Sequence, residues 1–334
     1  LTGLIPDHSL LIVVMTMKIQ VRVPATSANL GPGFDCMGLA LNLWNHFAVE
    51  ELPDGARIEV ENDGEGAEEL PRDRSHLVLR TMLTELAHLT GDATWYDRPP
   101  ALRLVCRNAV PAGSGLGSSS TAVLGGLLLA HAYYGRRIRH TNDIDRDAVL
   151  YRAIEHEGHG DNVAPALLGG LVLVSSVDGP AVVRRLSIPT WQVVVCVPTY
   201  HFLTSTARAA LPTQYSKQDA IYNVGHALLV MEALRTGDHH LLGQAIRDRL
   251  HVPYRLPLIP GARDACRAAI EQGASAATIS GAGPGLIAFA QERHAPIGVA
   301  MVQAFADARL SARYWVLETI DTGAESVDNI PAWS

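Results

Sequence analysis

A chain of 334 residues, 48% hydrophobic and 18% charged, is long enough for about two globular domains with a full core. A net charge of −7 leaves no basic face of the kind nucleic acid needs, and no apolar run reaches the length of a membrane span. Lys18 and Lys217 are the only lysines, so ionic contacts to phosphate or carboxylate fall to arginine, which binds both bidentately.

Residues 1–16 read as an N-terminal extension. Leu10–Val14 is a short apolar patch preceded by Asp7 and by no basic residue, a poor signal peptide, and Met15 and Met17 stand just ahead of the first organised strand. An amino-terminal domain is expected over 17–187 and a carboxy-terminal one over 188–334, with the boundary near Arg184–Thr190. Cys36, Cys106, Cys196 and Cys266 form no CxxC pair, which fits reduced thiols in a cytoplasmic protein better than a disulfide or metal framework.

Lys18–Val23 alternates and reads as a strand. Pro24–Asp35 is turn-rich and holds Thr26, Ser27, Asn29 and Asp35, either as ligand contacts or as a plain turn into the strand Leu39–Val49. Arg57–Val60 reads as a short strand and Asn62–Glu69 as an acidic surface loop. Ser75 reads as the cap of a helix over His76–Leu89, with Leu79, Leu83 and Leu86 on one face, and Trp95–Pro100 is linker-like.

Leu102–Cys106 alternates as a strand, Val110–Thr121 carries Gly113, Gly115 and Gly117 followed by Ser118, Ser119, Ser120 and Thr121, and the helix Ser118–Tyr134 follows. Strand, glycine loop and hydroxyl-rich helix start make an anion cradle, because glycines let the backbone approach while free amides and the helix dipole face the guest. Phosphate is the expected guest. A Walker A loop is excluded for want of its lysine, and a dinucleotide fingerprint because the third glycine comes one residue early. Gly125-Gly126 inside the helix implies close packing against a neighbour.

Asp143–Glu157 reads as a helix that ends where His156, Glu157, His159, Asp161 and Asn162 crowd together, ahead of the strand Leu171–Ser175. Three readings stand: a zinc site, whose HExxH spacing is absent; a magnesium site, for which Glu157 supplies a carboxylate; and a polar helix cap. Farther on, Trp191–Val197, Ala277–Ile279, Leu286–Ala290 and Tyr314–Thr319 read as strands, and Gln218–Leu234, Leu241–Leu250, Ala262–Gln272 and Ile297–Arg309 as helices of an α+β layer. Thr204 and Arg208 lie near a strand-to-helix transition, His251 and Arg255 are either ligand contacts or a salt-bridged helix end, and Ser280–Gly285 is a second glycine loop.

In this order, the stretches resemble the GHMP kinase superfamily and within it the homoserine kinases. Val23–Leu39 is similar to the first motif, Val110–Thr121 to the phosphate loop, Gly158–Pro165 to the segment Gly-His-Pro-Asp-Asn-Val-Ala-Pro, Thr278–Gly285 to the third motif and Tyr215–Pro260 to the helical region. The resemblance implies an α+β fold of two domains, the first like ribosomal protein S5 domain 2 and the second ferredoxin-like. It implies ATP and Mg²⁺ as cofactors, transfer of the γ-phosphate to the side-chain hydroxyl of L-homoserine in threonine biosynthesis, and a homodimer. Pro111, Ala112, Gly113, Ser114, Gly115, Leu116, Gly117, Ser118, Ser119 and Ser120 would bind the nucleotide, and Ser119 with Glu157 the metal, with Glu155 as the fallback carboxylate. Asn29, Asp35, His159, Asn162, Arg208 and Arg255 would bind homoserine, and Asn162, Thr204 and Arg208 would act at the reacting hydroxyl.

The residue types suit that substrate. Homoserine is a zwitterion, so its carboxylate calls for Arg208 and Arg255 and its ammonium for Asp35 with Asn29. Asn162 stands where mevalonate-type kinases are thought to carry an aspartate, and an amide takes no proton; the hydroxyl is expected to be oriented by Asn162 and to lose its proton late, to a phosphate oxygen. Asp161 is expected to point away from Asn162 if the segment is extended. Gly160 replaces the usual proline, and Gly285 stands without the usual Ser or Thr. Two rival readings are another kinase of the superfamily, acting on a mevalonate-like or sugar-like alcohol, and a nucleotide-binding sensor without catalysis.

Overall fold

The structure is a computed structural model that describes residues 17–53, 57–176 and 178–327, so the extension expected at 1–16 lies outside it. Its first sheet is built on two long antiparallel strands, β1 (Lys18–Ala28) and β2 (Met37–Glu51), paired from Lys18↔Glu50 to Ala28↔Gly38. β1 was expected to stop at Val23 and instead runs five residues further, past a register shift between Pro24 and Ala25. An irregularity of that kind tolerates a proline that brings no N–H to the ladder.

β4 (Leu102–Asn108) pairs with β2, and β3 (Ile58–Gly64) lies parallel to β4, so the first three residues of the expected acidic loop are strand. β5 (Leu171–Ser175) pairs with the start of β2, and β6 (Val182–Leu186) pairs with β5. Helices α1 (Leu77–Thr90), α2 (Thr94–Asp97), α3 (Ser118–Tyr134), α4 (Arg146–Glu157) and α5 (Val163–Leu168) complete this layer. α3 is buried along most of its length, and a Cβ on Gly125 would fall 2.4 Å from Phe47 Cδ2, which is the close packing its glycines implied. Ser75 does not cap α1; His76 holds the N-cap position without a side-chain bond, while Ser75 donates to Asp73 Oδ1. The linker-like stretch begins inside α2, ordered because Trp95 packs edge-on against Tyr133.

In the second half the strands β7 (Gln192–Pro198), β8 (Ala276–Ile279), β9 (Leu286–Phe289) and β10 (Ala312–Glu318) form an antiparallel sheet in the order β10-β7-β9-β8. α6 (Thr204–Ala209), α7 (Lys217–Thr236), α8 (His239–Ala245), α9 (Val252–Arg255) and α10 (Ala262–Glu271) lie between β7 and β8 in the chain, and α11 (His294–Asp307) between β9 and β10. Reduced to its sheet, this is the β-α-β-β-α-β order of a ferredoxin-like domain, and the α+β class stands. α8 stops at Ala245, short of the expected Leu250, because residues 246–251 turn to place Asp248 at the start of α9. A last strand, β11 (Glu325–Ser326), returns to pair with β1.

One apolar cluster joins the two sheets: Ala25, Leu30, Leu39, Leu41 and Leu116 pack with Trp191, Val193, Val195, Phe289 and Leu317. The two halves therefore share a core, and the loops that meet at its rim are held in one arrangement.

Candidate active site

Seven chain segments converge on a cavity of about 140 Å³: the loop after β1, the glycine loop, the start of α3, the end of α4 with its following turn, the start of α6, α9, and the loop between β8 and β9. The glycine loop is pressed against its neighbours. Gly117 has φ +70°, and a Cβ there would lie 2.3 Å from Thr26 Oγ1; at Gly115 it would lie 2.3 Å from the Ser280 carbonyl oxygen. Ser280 Oγ bridges the Gly115 carbonyl oxygen (2.7 Å) and Ser27 Oγ (2.9 Å), tying the loop to both halves of the chain. α3 begins at Ser118, so the free amides of its first turn face the cavity.

Of the ten residues expected to bind nucleotide, Gly113, Ser114, Gly115, Gly117, Ser118, Ser119 and Ser120 line the cavity. Leu116 is fully buried in the core, and Pro111 accepts a bond from Ser114 Oγ, so both shape the loop from behind. Ala112 faces an adjoining apolar cavity of about 300 Å³, lined also by Phe47, Leu70, Pro71 and Val78, which shares Gly113, Ser118 and Ser119 with the first. Sequence reasoning missed this second cavity because its walls come from four separate elements.

Glu157 accepts from Ser119 Oγ at 2.8 Å and from Ser120 Oγ at 2.9 Å. Glu155 is exposed and turned to Arg152, away from the cavity. A carboxylate and two hydroxyls beside a phosphate loop are a hard-oxygen set of the kind that suits Mg²⁺, while no cluster of three or more His, Cys, Asp or Glu side chains of the kind a zinc site needs occurs among the described residues.

The turn after α4 corrects the expectation for Asp161. The segment is not extended, since α5 starts directly after Asn162, so Asp161 and Asn162 face the same cavity. Asp161 is buried and lies 2.7 Å from His159 Nδ1, a bond that raises the His159 pKa above the usual value. Asn162 Oδ1 accepts from Thr26 Oγ1 at 2.9 Å and its Nδ2 reaches Asp161 Oδ1 at 3.4 Å, which leaves one amide N–H to meet a ligand. Gly160 sits where a Cβ would come 2.6 Å from Val174 Cγ2, too close for the usual proline without a shift.

Asp35 and Arg208 form a two-pronged ion pair at 3.0 and 3.1 Å across the mouth of the cavity. Asn29 is committed internally: its amide donates to the Gly281 carbonyl and its oxygen accepts from the Asp35 backbone, so it sets the loop that carries Asp35. Thr204 opens α6 on the cavity wall. Arg255 is 1% exposed, and burial lowers its pKa. No carboxylate lies within ion-pair distance of it among the described residues; its partners are the Ala207 carbonyl, His251 Nδ1 and the face of Phe34. A buried guanidinium with neutral partners, facing a cavity, is a site for an anion. Phe34 escaped sequence reasoning because it acts through the distant Arg255, and Thr26, read as a ligand contact or a turn residue, instead holds Asn162.

Residues 76–170 match the GHMP kinases N terminal domain and residues 230–307 the GHMP kinases C terminal family. A homoserine kinase of Moorella thermoacetica is 41% identical over 289 residues, covering 86% of this chain and 92% of its own. The chain belongs to the homoserine kinase family of the GHMP kinases. A Synechococcus homoserine kinase is 40% identical over 316 residues, covering 92% of this chain and 98% of its own. Among solved structures, homoserine kinase from Cytophaga hutchinsonii superposes with a TM-score of 0.79 at 30% identity, over 94% of this chain and 98% of its own. L. major mevalonate kinase, at 16% identity and a TM-score of 0.66 over 92% of this chain and 98% of its own, shares the fold. This GHMP kinase is ATP-dependent, and no helix among its described residues is long and apolar enough to cross a membrane.

Proposed function

We propose that this protein transfers the γ-phosphate of ATP to the side-chain hydroxyl of L-homoserine, giving O-phospho-L-homoserine and ADP, a step of threonine biosynthesis. The observation that carries the reading is Arg255, a buried guanidinium without a carboxylate, in the same cavity as the Asp35–Arg208 pair and the phosphate loop. An amino-acid zwitterion meets both demands: its carboxylate neutralises Arg255, with Arg208 alongside, and its ammonium is met by Asp35.

The phosphates rest on the amides of Gly113–Ser120, and the nucleobase fits the adjoining apolar cavity. Ser119 and Glu157 are the residues that would hold Mg²⁺, which when bound neutralises charge on the phosphates. Asn162, with its oxygen taken by Thr26 and one N–H directed at Asp161, presents its other N–H to the substrate hydroxyl and orients it, and Thr204 lies on the same wall. The hydroxyl oxygen bonds to the γ-phosphorus as the bond to ADP breaks, and the hydroxyl proton passes late to the transferred phosphate. His159, held by Asp161, borders the same space.

Two further features belong to the proposal. The four cysteines are unpaired, which supports the reducing cytoplasm as its compartment. Ile221, Val224 and Leu228 form an exposed apolar stripe on α7, which supports a homodimer.

ADP release from MgATP, measured with L-homoserine, mevalonate and L-serine, tests the activity. Homoserine-dependent release with O-phosphohomoserine as product is expected. Turnover with mevalonate alone would transfer the site to another alcohol, and nucleotide binding without turnover would make the protein a sensor. Gly117→Ala, which strains a left-handed residue against Thr26, is expected to cost about 1–3 kcal/mol in apparent ATP affinity. Initial rates across ATP concentrations at saturating homoserine read that loss directly.

A further inference from the structure

Arg255 leaves one question open: a guanidinium without a carboxylate needs something to fix its plane. Its Nε donates to the Ala207 carbonyl at 3.2 Å, and one Nη1 N–H points to His251 Nδ1 at 3.4 Å. Nη2 has no protein partner among the described residues and is left for a ligand.

His251 is fully buried, and its tautomer is decided by its surroundings. Nε2–H donates to the Gly31 carbonyl at 2.8 Å, so Nδ1 carries the lone pair that faces Arg255. The ring stacks on Phe34, with centroids 5.0 Å apart, and Phe34 also lies under the guanidinium. Behind it, Asp248 accepts from the backbone N–H groups of His251 (2.7 Å) and Val252 (2.6 Å) and from Asn223 Nδ2 (2.8 Å), and Asn223 Nδ2 also reaches the Pro32 carbonyl. One imidazole therefore touches both the loop that carries Asp35 and the arginine across from it. Burial lowers the His251 pKa, which keeps it neutral beside Arg255.

We propose that His251 is a positioning residue that sets the fork of Arg255 for the substrate carboxylate, acting as acceptor through Nδ1 while Nε2–H anchors the Gly31 loop. The inference rests on the reading of the acceptor as homoserine.

Two isosteric halves of the imidazole separate its functions. His251→Asn retains a polar acceptor where Nδ1 stands, and His251→Gln retains a donor where Nε2 stands. His251→Gln is expected to raise KM for homoserine at least tenfold with kcat within about threefold and KM for ATP unchanged; His251→Asn is expected to recover most of that loss. The control substrate is 3-aminopropan-1-ol, homoserine without its carboxylate. The wild type is expected to use it far less well, and His251→Gln to leave its KM unchanged. Unchanged KM for homoserine in His251→Gln, or equal losses for homoserine, 3-aminopropan-1-ol and ATP in both variants, overturns the positioning role. A wild type that does not distinguish homoserine from 3-aminopropan-1-ol overturns the carboxylate reading itself.

Discussion

Arg255→Met is expected to lower kcat/KM for homoserine while leaving the free protein as stable as the wild type or more so. Removing one partner of a buried, hydrogen-bonded charge pair costs about 2–5 kcal/mol, which corresponds to roughly 30- to several-thousand-fold. In the free protein the same guanidinium has only a carbonyl, an imidazole nitrogen and an aromatic face for partners, and it is 1% exposed. Replacing a buried charge by an apolar side chain of similar length is neutral or stabilising by about 1–4 kcal/mol when no opposite charge is orphaned. Here none is, because Asp35 is already paired with Arg208. Melting temperature of the ligand-free protein and kcat/KM, measured on the same preparation, check both halves. A fall in melting temperature of several degrees would make Arg255 a structural residue and remove the main support for an anionic substrate.

Glu157→Gln is expected to lower kcat by about 10²–10³-fold, the scale seen when one preorganised electrostatic group is removed from a transition state. Glutamine retains the size and one acceptor oxygen, so the bonds from Ser119 and Ser120 are partly kept and the fold is undisturbed. What it loses is the negative charge that would hold the cation beside the phosphates. The apparent Mg²⁺ requirement should rise together with the fall in kcat. Glu155→Gln serves as the comparison, since its side chain is 69% exposed and its ion pair with Arg152 lies at the surface, where such pairs contribute about 0–1 kcal/mol. Equal losses in the two variants would reject Glu157 as the special carboxylate.

Much of this was legible in the chain itself. The phosphate loop could be read because alternating glycines, a hydroxyl run and a following helix are chain neighbours, and their chemistry is local. Asp161 was misjudged for a local reason too. An extended segment alternates its side chains, whereas α5 begins at Val163 and turns Asp161 and Asn162 to one side. The turn after α4 is short, and whether it stays extended depends on α5 packing against the sheet, which periodicity over a few residues does not report.

The sequence by itself determined the α+β class, the anion cradle, the carboxylate at the end of α4 and the arginines of the second half, because residue type and spacing carry those properties. Tertiary structure alone decided which groups remain free for a substrate. Asn29 is spent on Gly281, 252 residues away, and His251 on the Gly31 carbonyl, 220 residues away, whereas Asp35 and Arg208, 173 residues apart, meet at the cavity and both stay within reach of a substrate. Each of these bonds exists because the two sheets share one apolar core, and a buried polar atom must find its partner wherever that core places it.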